Sequence, residues 1–270
     1  MPRMGKNLER YLRRQSMPSL WCPGCGHGSI ARAILGALDS LSLDPNQVVV
    51  LGGIGCSGRT PFYVNTNAMH TTHGRALAFA TGVKMQRPEL TTIVTMGDGD
   101  AVGIGGNHFI HACRRNIDLT AVVYNNGIYG MTGGQTAPTT PTNRKSTTSM
   151  WGSIDTPFDV AELAITAGAS FVARSTTFDF ADLPALISKA IEHRGMSVVE
   201  VLTHCPTYFG RLNALGTPVE MLDYERDMTF AAEPPSREDI VGKKRVGILR
   251  DEAWEDYGTR YRAMCEAVGR

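Results

Sequence analysis

Long apolar stretches and an excess of charge of either sign are both missing from this sequence. The 270 residues include 27 Lys plus Arg and 26 Asp plus Glu, so electrostatics gives no reason to expect a nucleic acid or an anionic membrane as the main partner. No segment approaches the roughly 18 consecutive apolar residues of a membrane span, and the basic N-terminal stretch lacks the apolar run of a secretory signal. We therefore expect a cytoplasmic protein whose partners are small molecules and other proteins, with no membrane and no nucleic acid.

A ferredoxin-like run of closely spaced cysteines is also absent, although the chain has six cysteines. In a reducing compartment, six cysteines indicate metal binding rather than a disulfide framework. Cys22 and Cys25 form a Cys-x-x-Cys pair, Cys56 lies in a glycine-rich turn, and Cys205 follows a predicted strand. These four residues could meet at one edge of a sheet, but their spacing alone leaves a redox pair, zinc and an iron-sulfur cluster open.

Short β-branched runs alternate with longer helix-like stretches through most of the chain. The predicted strands are residues 47–51, 91–96, 119–125, 170–176 and 197–204. The predicted helices are residues 28–41, 74–86, 103–115, 159–168 and 180–193. This alternation predicts an α/β fold with a doubly wound, mostly parallel sheet, which binds ligands at the carboxyl ends of its strands.

The composition divides the chain into three parts. Residues 1–46 carry the first cysteine pair, and we expect them to form one domain with the core at residues 47–205. Residues 206–270 form a C-terminal extension that is punctuated by proline, with a regular helix predicted only over 251–268. Within the core, residues 130–149 are rich in Gly, Thr and Pro and follow a strand end directly, so we interpret them as an ordered active-site loop.

The strongest local signal lies in residues 91–135, where two successive strands end in polar groups. The first strand ends in Gly-Asp-Gly-Asp at 97–100, and the next ends in Asn-Asn-Gly-Ile-Tyr-Gly at 125–130. One carboxylate and one amide oxygen across a βαβ unit suit Mg²⁺ bound to a diphosphate, and the glycines let the backbone approach the phosphates. A Gly-Asp-Gly alone is a common turn, but the asparagine pair at the next strand end makes a chance match much less plausible.

This segment resembles the thiamine-diphosphate signature, and its ending, Tyr-Gly-Met-Thr-Gly-Gly-Gln at 129–135, resembles the β subunits of 2-oxoacid:ferredoxin oxidoreductases. The resemblance covers roughly residues 20–211. It implies a thiamine-diphosphate-binding fold, with Mg²⁺ held by the side chains of Asp98 and Asn126 and by the backbone carbonyl of Ile128. The cofactor-binding residues that it implies are Gly55, Ser57, His73, Gly97, Asp98, Gly99, Asp100, Asn125, Asn126, Ile128, Tyr129 and Gly130.

The same resemblance implies a 4Fe-4S cluster bound by Cys22, Cys25, Cys56 and Cys205. Such a cluster can be tuned over a wide range of potential, so it can take electrons from a thiamine adduct and pass them on. A structural zinc in the same position is the alternative reading.

Substrate contacts are expected from the stretch His-Thr-Thr-His-Gly-Arg at 70–75 and from Arg59. The resemblance places His73 near the cofactor, although it could instead cap the following helix. Arg59 and Arg75 are candidates for binding a substrate carboxylate, because a guanidinium can donate two hydrogen bonds to it. The alternative for either arginine is an ordinary ion pair with an acidic neighbour.

The resemblance implies CoA-dependent oxidative decarboxylation of 2-oxoglutarate to succinyl-CoA with ferredoxin, or the reverse reaction. Pyruvate and branched-chain oxoacids remain alternatives, as do a non-oxidative thiamine enzyme with zinc and a degenerate subunit without activity. Thiamine activation needs a glutamate at the aminopyrimidine ring, and no glutamate falls within the recognised motifs. We therefore expect an α subunit, in an α2β2 assembly, to supply it.

Overall fold

An eight-stranded sheet forms the centre of the computed structural model, which describes residues 8–231 and 242–269. In order across the sheet, the strands are β2 (Asn67–His70), β1 (Val48–Gly52), β3 (Thr91–Gly97), β4 (Leu119–Asn125), β8 (Met196–Leu202), β7 (Phe171–Thr176), β10 (Lys244–Asp251) and β9 (Thr229–Ala231). The first six are parallel, and β10 pairs with β7 in the antiparallel sense. A separate short hairpin joins β5 (Ile128–Tyr129) to β6 (Gln135–Thr136). The predicted α/β class with a mostly parallel sheet is confirmed.

Helices cover both faces of this sheet, which is why its central strands are continuous apolar runs rather than alternating ones. The helices are α1 (Leu8–Tyr11), α2 (His27–Ser40), α3 (Thr60–Tyr63), α4 (Ala76–Gln86), α5 (Gly106–Arg115), α6 (Val160–Ala167), α7 (Leu183–Glu192), α8 (Pro218–Asp227) and α9 (Tyr257–Ala267). One apolar core lies between the sheet and α4, α5 and α6, and a second lies between the sheet and α2 and α7. All seven residues of β4 are buried between the two cores.

The five predicted helices correspond to α2, α4, α5, α6 and α7, and their ends follow local chemistry. The side chain of Asp159 accepts a hydrogen bond from the Glu162 backbone N–H (3.0 Å) at the start of α6, and Gly168 ends the helix at φ +96°. An aspartate at the N-cap and a left-handed glycine after the last turn are the usual signals for these two positions.

The C-terminal extension contains more regular structure than its sequence indicates. The structure adds α8, β9 and β10, and the helix predicted from residue 251 begins at Tyr257, after Asp256. β10 was missed because most of its residues are only half-buried and it contains Gly247. β2 was missed because all four of its residues are exposed at the edge of the sheet.

Among the described residues, no helix combines the length and apolar composition that a membrane crossing requires.

Candidate functional site

One cavity lies at the carboxyl edge of the sheet, where β1, β3 and β4 end side by side. The predicted cofactor residues that line it are Gly55, Cys56, Ser57, His73, Gly97, Asp98, Gly99, Asp100, Asn126, Ile128, Tyr129 and Gly130. Asn125 does not line this cavity. Its side chain is held below the loop by Glu200, whose Oε1 accepts a hydrogen bond from Asn125 Nδ2 (2.7 Å). The parallel sheet thus brings together residues from three separate strand ends, as expected for this fold.

Asp98 lies at the base of the cavity with 3% of its surface exposed. Its Oδ2 accepts a hydrogen bond from the hydroxyl of Thr139, which belongs to the loop predicted to line the active site. Burial raises the pKa of Asp98 to about 6. A buried carboxylate whose charged form is disfavoured in this way gains most from a nearby cation.

The side chain of Asn126 shapes the turn that follows β4. Its Oδ1 accepts a hydrogen bond from the backbone N–H of Ile128 (3.2 Å), and Oδ1 of Asn125 accepts one from Gly127 (3.2 Å). Gly127 has φ +65°, a conformation that favours glycine. Consecutive Asx turns therefore fix the loop that carries two of the expected magnesium ligands.

Asp100 is almost fully buried, and one of its two carboxylate oxygens has no partner among the described residues. Oδ1 lies 2.6 Å from both His73 Nδ1 and the Gly74 nitrogen, whereas Oδ2 makes no hydrogen bond within residues 8–231 and 242–269. In the same part of the chain, the buried hydroxyl of Ser57 on this cavity is unpartnered as well. Burial raises the pKa of Asp100, and the hydrogen bond from Gly74 and the charge of His73 oppose that rise. Buried oxygens beside the cavity that are unpaired within the described residues fit a cation and a hydrogen-bonding ligand.

His73 does not cap α4. The residue at the N-cap is Arg75, and no side chain accepts a hydrogen bond there. His73 is instead held by Asp100, with its ring against that of Tyr129 at 6.3 Å between centroids. The structure therefore places His73 on the cavity wall.

Neither Arg59 nor Arg75 is in an ion pair with any acidic side chain of the described residues. The guanidinium of Arg59 lies over Phe62, 5.9 Å from the ring centroid. Burial raises the pKa of the Cys56 thiol to about 11, and the charge of Arg59 only partly opposes that rise. Arg75 donates from Nη1 to the backbone carbonyl of Ile104 at 3.1 Å. Both cations therefore keep charge available for an anionic ligand, and Arg59 is close to the thiol of Cys56.

The cysteine site, defined as Cys22, Cys25, Cys56 and Cys205, adjoins this cavity. A Cβ atom on Gly130 would lie 3.6 Å from Cys205 Sγ and 3.8 Å from Cys56 Sγ. Burial, with smaller contributions from the charges of the other three cysteines, raises the pKa of Cys25 to about 12. The tertiary structure thus brings together the four cysteines that the sequence singled out, and all four are free.

A single Zn²⁺ needs thiolate sulfurs at about 2.3 Å from one point. Within residues 8–231 and 242–269, no three His, Cys, Asp or Glu side chains are arranged to hold a single ion.

His27 lies directly behind the first cysteine pair. Its Nδ1 is 3.3 Å from Cys25 Sγ, and its ring is edge-on to Tyr124 at 5.1 Å between centroids. Burial lowers the pKa of His27 to about 3, with a further contribution from the charge of His204. The imidazole is therefore neutral at physiological pH and packs as part of the wall.

Four residues of the site were missed by sequence reasoning. Thr139 contacts Asp98, and Trp21 donates from Nε1 to the Cys56 carbonyl at 2.7 Å. His204 and Glu225 form a buried pair at 2.7 Å behind the cysteine site. His204 could have been found as the neighbour of Cys205, but Glu225 comes from α8 and gives no signal in the sequence.

Comparison with known proteins agrees with this geometry. Residues 53–201 match the family model "Thiamine pyrophosphate enzyme, C-terminal TPP binding domain". The chain is 48% identical over 92% of its length to "2-oxoglutarate synthase subunit KorB" of Archaeoglobus fulgidus, of which it covers 90%. It is 42% identical over 87% of its length to "2-oxoacid:ferredoxin oxidoreductase subunit beta" of Saccharolobus solfataricus, of which it covers 78%.

Among solved structures, a 2-oxoglutarate:ferredoxin oxidoreductase from Magnetococcus marinus, with 2-oxoglutarate, coenzyme A and succinyl-CoA bound, matches with a TM-score of 0.88. It is 32% identical, and the match covers 100% of this chain and 92% of that one. The fold, the cavity and these similarities agree with the resemblance seen in the sequence. The chain therefore belongs to the β subunits of the 2-oxoacid:ferredoxin oxidoreductases and, within them, to the 2-oxoglutarate:ferredoxin oxidoreductase type.

Proposed function

We propose that this chain, together with an α subunit, catalyses CoA-dependent oxidative decarboxylation of 2-oxoglutarate to succinyl-CoA, or the reverse carboxylation, with ferredoxin as the electron partner. The KorB relatives and the ligands named for the Magnetococcus enzyme support the choice of 2-oxoglutarate. A cytoplasmic location, one 4Fe-4S cluster per chain and an α2β2 assembly belong to the same proposal.

The observation that carries this proposal is the position of Gly130 between the two sites. A Cβ atom built on Gly130 would lie within 4.0 Å of three groups, which are Asn126 Nδ2 and the thiols of Cys56 and Cys205. One backbone position thus touches both the expected magnesium loop and the cysteine site. An oxidative enzyme needs a short path between its carbon chemistry and its electron acceptor, whereas a non-oxidative one does not.

The residues of the cavity fit Mg²⁺ and thiamine diphosphate. We propose Asp98, the side-chain oxygen of Asn126 and the Ile128 carbonyl as the ligands of the ion, because hard divalent cations prefer oxygen ligands. The remaining cavity residues surround the cofactor, and Ser57 is available to donate a hydrogen bond. When bound, thiamine diphosphate supplies the electron sink for breaking the bond between the oxo carbon and the carboxylate.

We propose the four residues of the cysteine site as ligands of the 4Fe-4S cluster. Burial makes the thiolate forms of Cys25 and Cys56 costly in the absence of metal, so binding of iron is expected to release protons. His73, Arg59 and Arg75 are the proposed substrate-side residues. An arginine without an acidic partner can receive the second carboxylate of a dicarboxylic oxoacid, which pyruvate lacks.

No glutamate is among the described residues that line the cavity. The described part of the chain therefore does not place in this cavity the glutamate that thiamine activation requires. This supports an α subunit as the source of that group and as the partner that completes the pocket.

The test is to purify the protein anaerobically with its co-expressed α subunit and measure iron, sulfide and zinc per chain. The visible spectrum is then recorded with thiamine diphosphate, coenzyme A and each oxoacid in turn. We expect about four irons per chain and a broad band that bleaches with 2-oxoglutarate.

Bleaching with pyruvate or a branched-chain oxoacid alone would retain the mechanism and overturn the substrate. A colourless protein that contains zinc would overturn the redox function and favour a non-oxidative thiamine enzyme.

A further inference from the structure

We propose that the buried pair His204–Glu225 is a positioning device for the cysteine site, which holds the turn after Cys22 in place against the strand end that carries Cys205. The inference rests on the proposed function, because it takes the four cysteines to be cluster ligands. It also gives the C-terminal extension, which contributes Glu225, a role in the redox site.

His204 links two parts of the chain that are 180 residues apart in sequence. Its Nε2 lies 2.7 Å from the backbone carbonyl of Gly24, and its Nδ1 lies 2.7 Å from Glu225 Oε1. The backbone carbonyl of Gly24 can only accept a hydrogen bond, so Nε2 donates to it, and Nδ1 shares the second hydrogen bond with the Glu225 carboxyl group. Each ring nitrogen is therefore held by a group from a different segment of the chain.

Glu225 is itself fixed on its other side. Its Oε2 accepts hydrogen bonds from the Thr177 hydroxyl (2.7 Å) and from the Phe178 backbone N–H (3.2 Å). With 6% of its surface exposed and both oxygens engaged, Glu225 has little freedom to move. The direction of the His204 ring is therefore set by groups that are all held in place.

Helix α8 contacts the first cysteine turn at a second point. Its first residue, Pro218, packs against Gly24, which has φ +78°, so closely that a Cβ on this glycine would overlap the proline ring. Within the same turn, the Cys25 backbone N–H donates to the Cys22 carbonyl at 3.0 Å. Helix α8 thus fixes the turn by packing at Pro218 and by hydrogen bonding through Glu225 and His204.

In this arrangement, His204 and Glu225 orient the proposed metal ligands without binding the metal themselves. Groups that orient ligands without touching the metal commonly change metal affinity by about 10- to 100-fold when they are removed. His204 is next to the proposed ligand Cys205 in sequence, and it binds the backbone of Gly24, between the proposed ligands Cys22 and Cys25. Its loss is therefore expected to disturb the relative placement of ligands from two segments while leaving the magnesium loop intact.

The experiment uses the holoenzyme purified anaerobically with its α subunit. The variants are His204→Gln, His204→Ala, Glu225→Ala and the double variant His204→Ala/Glu225→Ala. The readouts are the rate of iron release to a chelator, the reduction potential and EPR spectrum of the cluster, and the affinity for thiamine diphosphate. Asp223→Asn is the matched control, because this carboxylate is on α8 but half-exposed and paired with Arg226 (2.8 Å).

We expect His204→Ala and Glu225→Ala to release iron about tenfold faster or more, with a shifted potential and unchanged cofactor affinity. His204→Gln keeps an N–H that can reach the Gly24 carbonyl, so its effect should be smaller. Expressed as free energy, the increase in iron-release rate should be smaller in the double variant than the sum of the increases in the two single variants. The reason is that the double variant leaves no lone buried charge. It also keeps the test decisive if Glu225→Ala alone does not fold.

The positioning role would be overturned if the wild-type protein binds a cluster and the folded His204→Ala and double variants release iron at the wild-type rate and with the wild-type potential. A wild-type protein without iron would instead overturn the proposed function. The two failures are therefore distinguishable.

Discussion

The cofactor cavity and the cysteine site share a border at Gly130 but are assembled in different ways. The cavity is built from loops that follow three neighbouring strands, and most of its residues lie between positions 53 and 130. The loop after β4 is stabilised by short-range bonds, such as the one from the Ile128 backbone N–H to Asn126 Oδ1.

The cysteine site is drawn from residues 22–25, 56 and 205, and a helix of the C-terminal extension supports it. Its geometry therefore depends on long-range packing. We therefore expect the cavity to be damaged mainly by substitutions within its own loops. The cysteine site can also be damaged by substitutions far from the cysteines in sequence. Substitutions chosen to separate the two sites test this directly.

The largest effect is expected from Asp98→Ala, which removes the proposed carboxylate ligand of Mg²⁺. Affinity for thiamine diphosphate in the presence of Mg²⁺ should fall by at least about 100-fold, as measured by calorimetry, while iron content stays unchanged. Asp155→Ala, at an exposed aspartate between β6 and α6, serves as the control. Unchanged affinity in Asp98→Ala would contradict the magnesium assignment.

Cys56→Ser should have the opposite pattern. We expect faster iron loss, by about 10- to 100-fold, and cofactor affinity close to that of the wild type, because Cys56 is not among the proposed magnesium ligands. Iron per chain and calorimetry measure the two effects separately. Cys265→Ser, on the distant helix α9, should change neither quantity. If it removed iron to the same extent, the ligand set would be wrong.

Gly130 is the position at which one substitution should affect both sites. A single Cβ would be in ordinary van der Waals contact with the two thiols, so Gly130→Ala should be mild. Gly130→Leu would fill the border and is expected to lower both iron content and cofactor affinity several-fold. If the leucine variant lost only iron or only cofactor affinity, the two sites would be less closely joined than the structure indicates.

The smallest effect concerns Asp159, which lies away from both sites. Burial alone would raise its pKa, but the charges of Lys244 and Arg174 and the hydrogen bond from the Glu162 backbone hold the pKa below its usual value. A carboxyl group whose pKa is lower in the folded state stabilises the protein at pH values above its pKa in the unfolded chain, which is about 3.9. That stability is lost as pH falls through the folded pKa.

Asp159→Asn keeps an N-cap for α6. It should lower the free energy of unfolding by less than about 1 kcal/mol at neutral pH. Urea unfolding at pH 7 and near pH 3 measures the difference, which should shrink at the lower pH. A difference that grew on acidification would contradict the assignment.

The contrast also explains how much could be predicted from the sequence. Both ends of each of the strands β1, β3, β4, β7 and β8 were predicted to within about two residues, because buried parallel strands are continuous apolar runs. The cavity residues were identifiable because polar groups follow those runs directly. By contrast, β2 is a short exposed edge, and β10 is half-buried, so neither gives a clear pattern.

Glu225 illustrates what the sequence could not predict. It lies on a helix whose local composition is polar, and nothing in the sequence distinguishes it from the exposed acidic residues beside it. Only the packing of α8 against the first cysteine turn buries Glu225 and places it opposite His204. Contacts of this kind depend on tertiary structure, which a single sequence does not reveal.

The four cysteines differ in accessibility. Cys22 is exposed, Cys25 and Cys56 are half-buried, and Cys205 is buried. A metal centre enclosed in this way would have an open side and a closed side. Dioxygen and chelators would reach it first at Cys22, so oxidative damage in air should begin there, with Cys205 modified last.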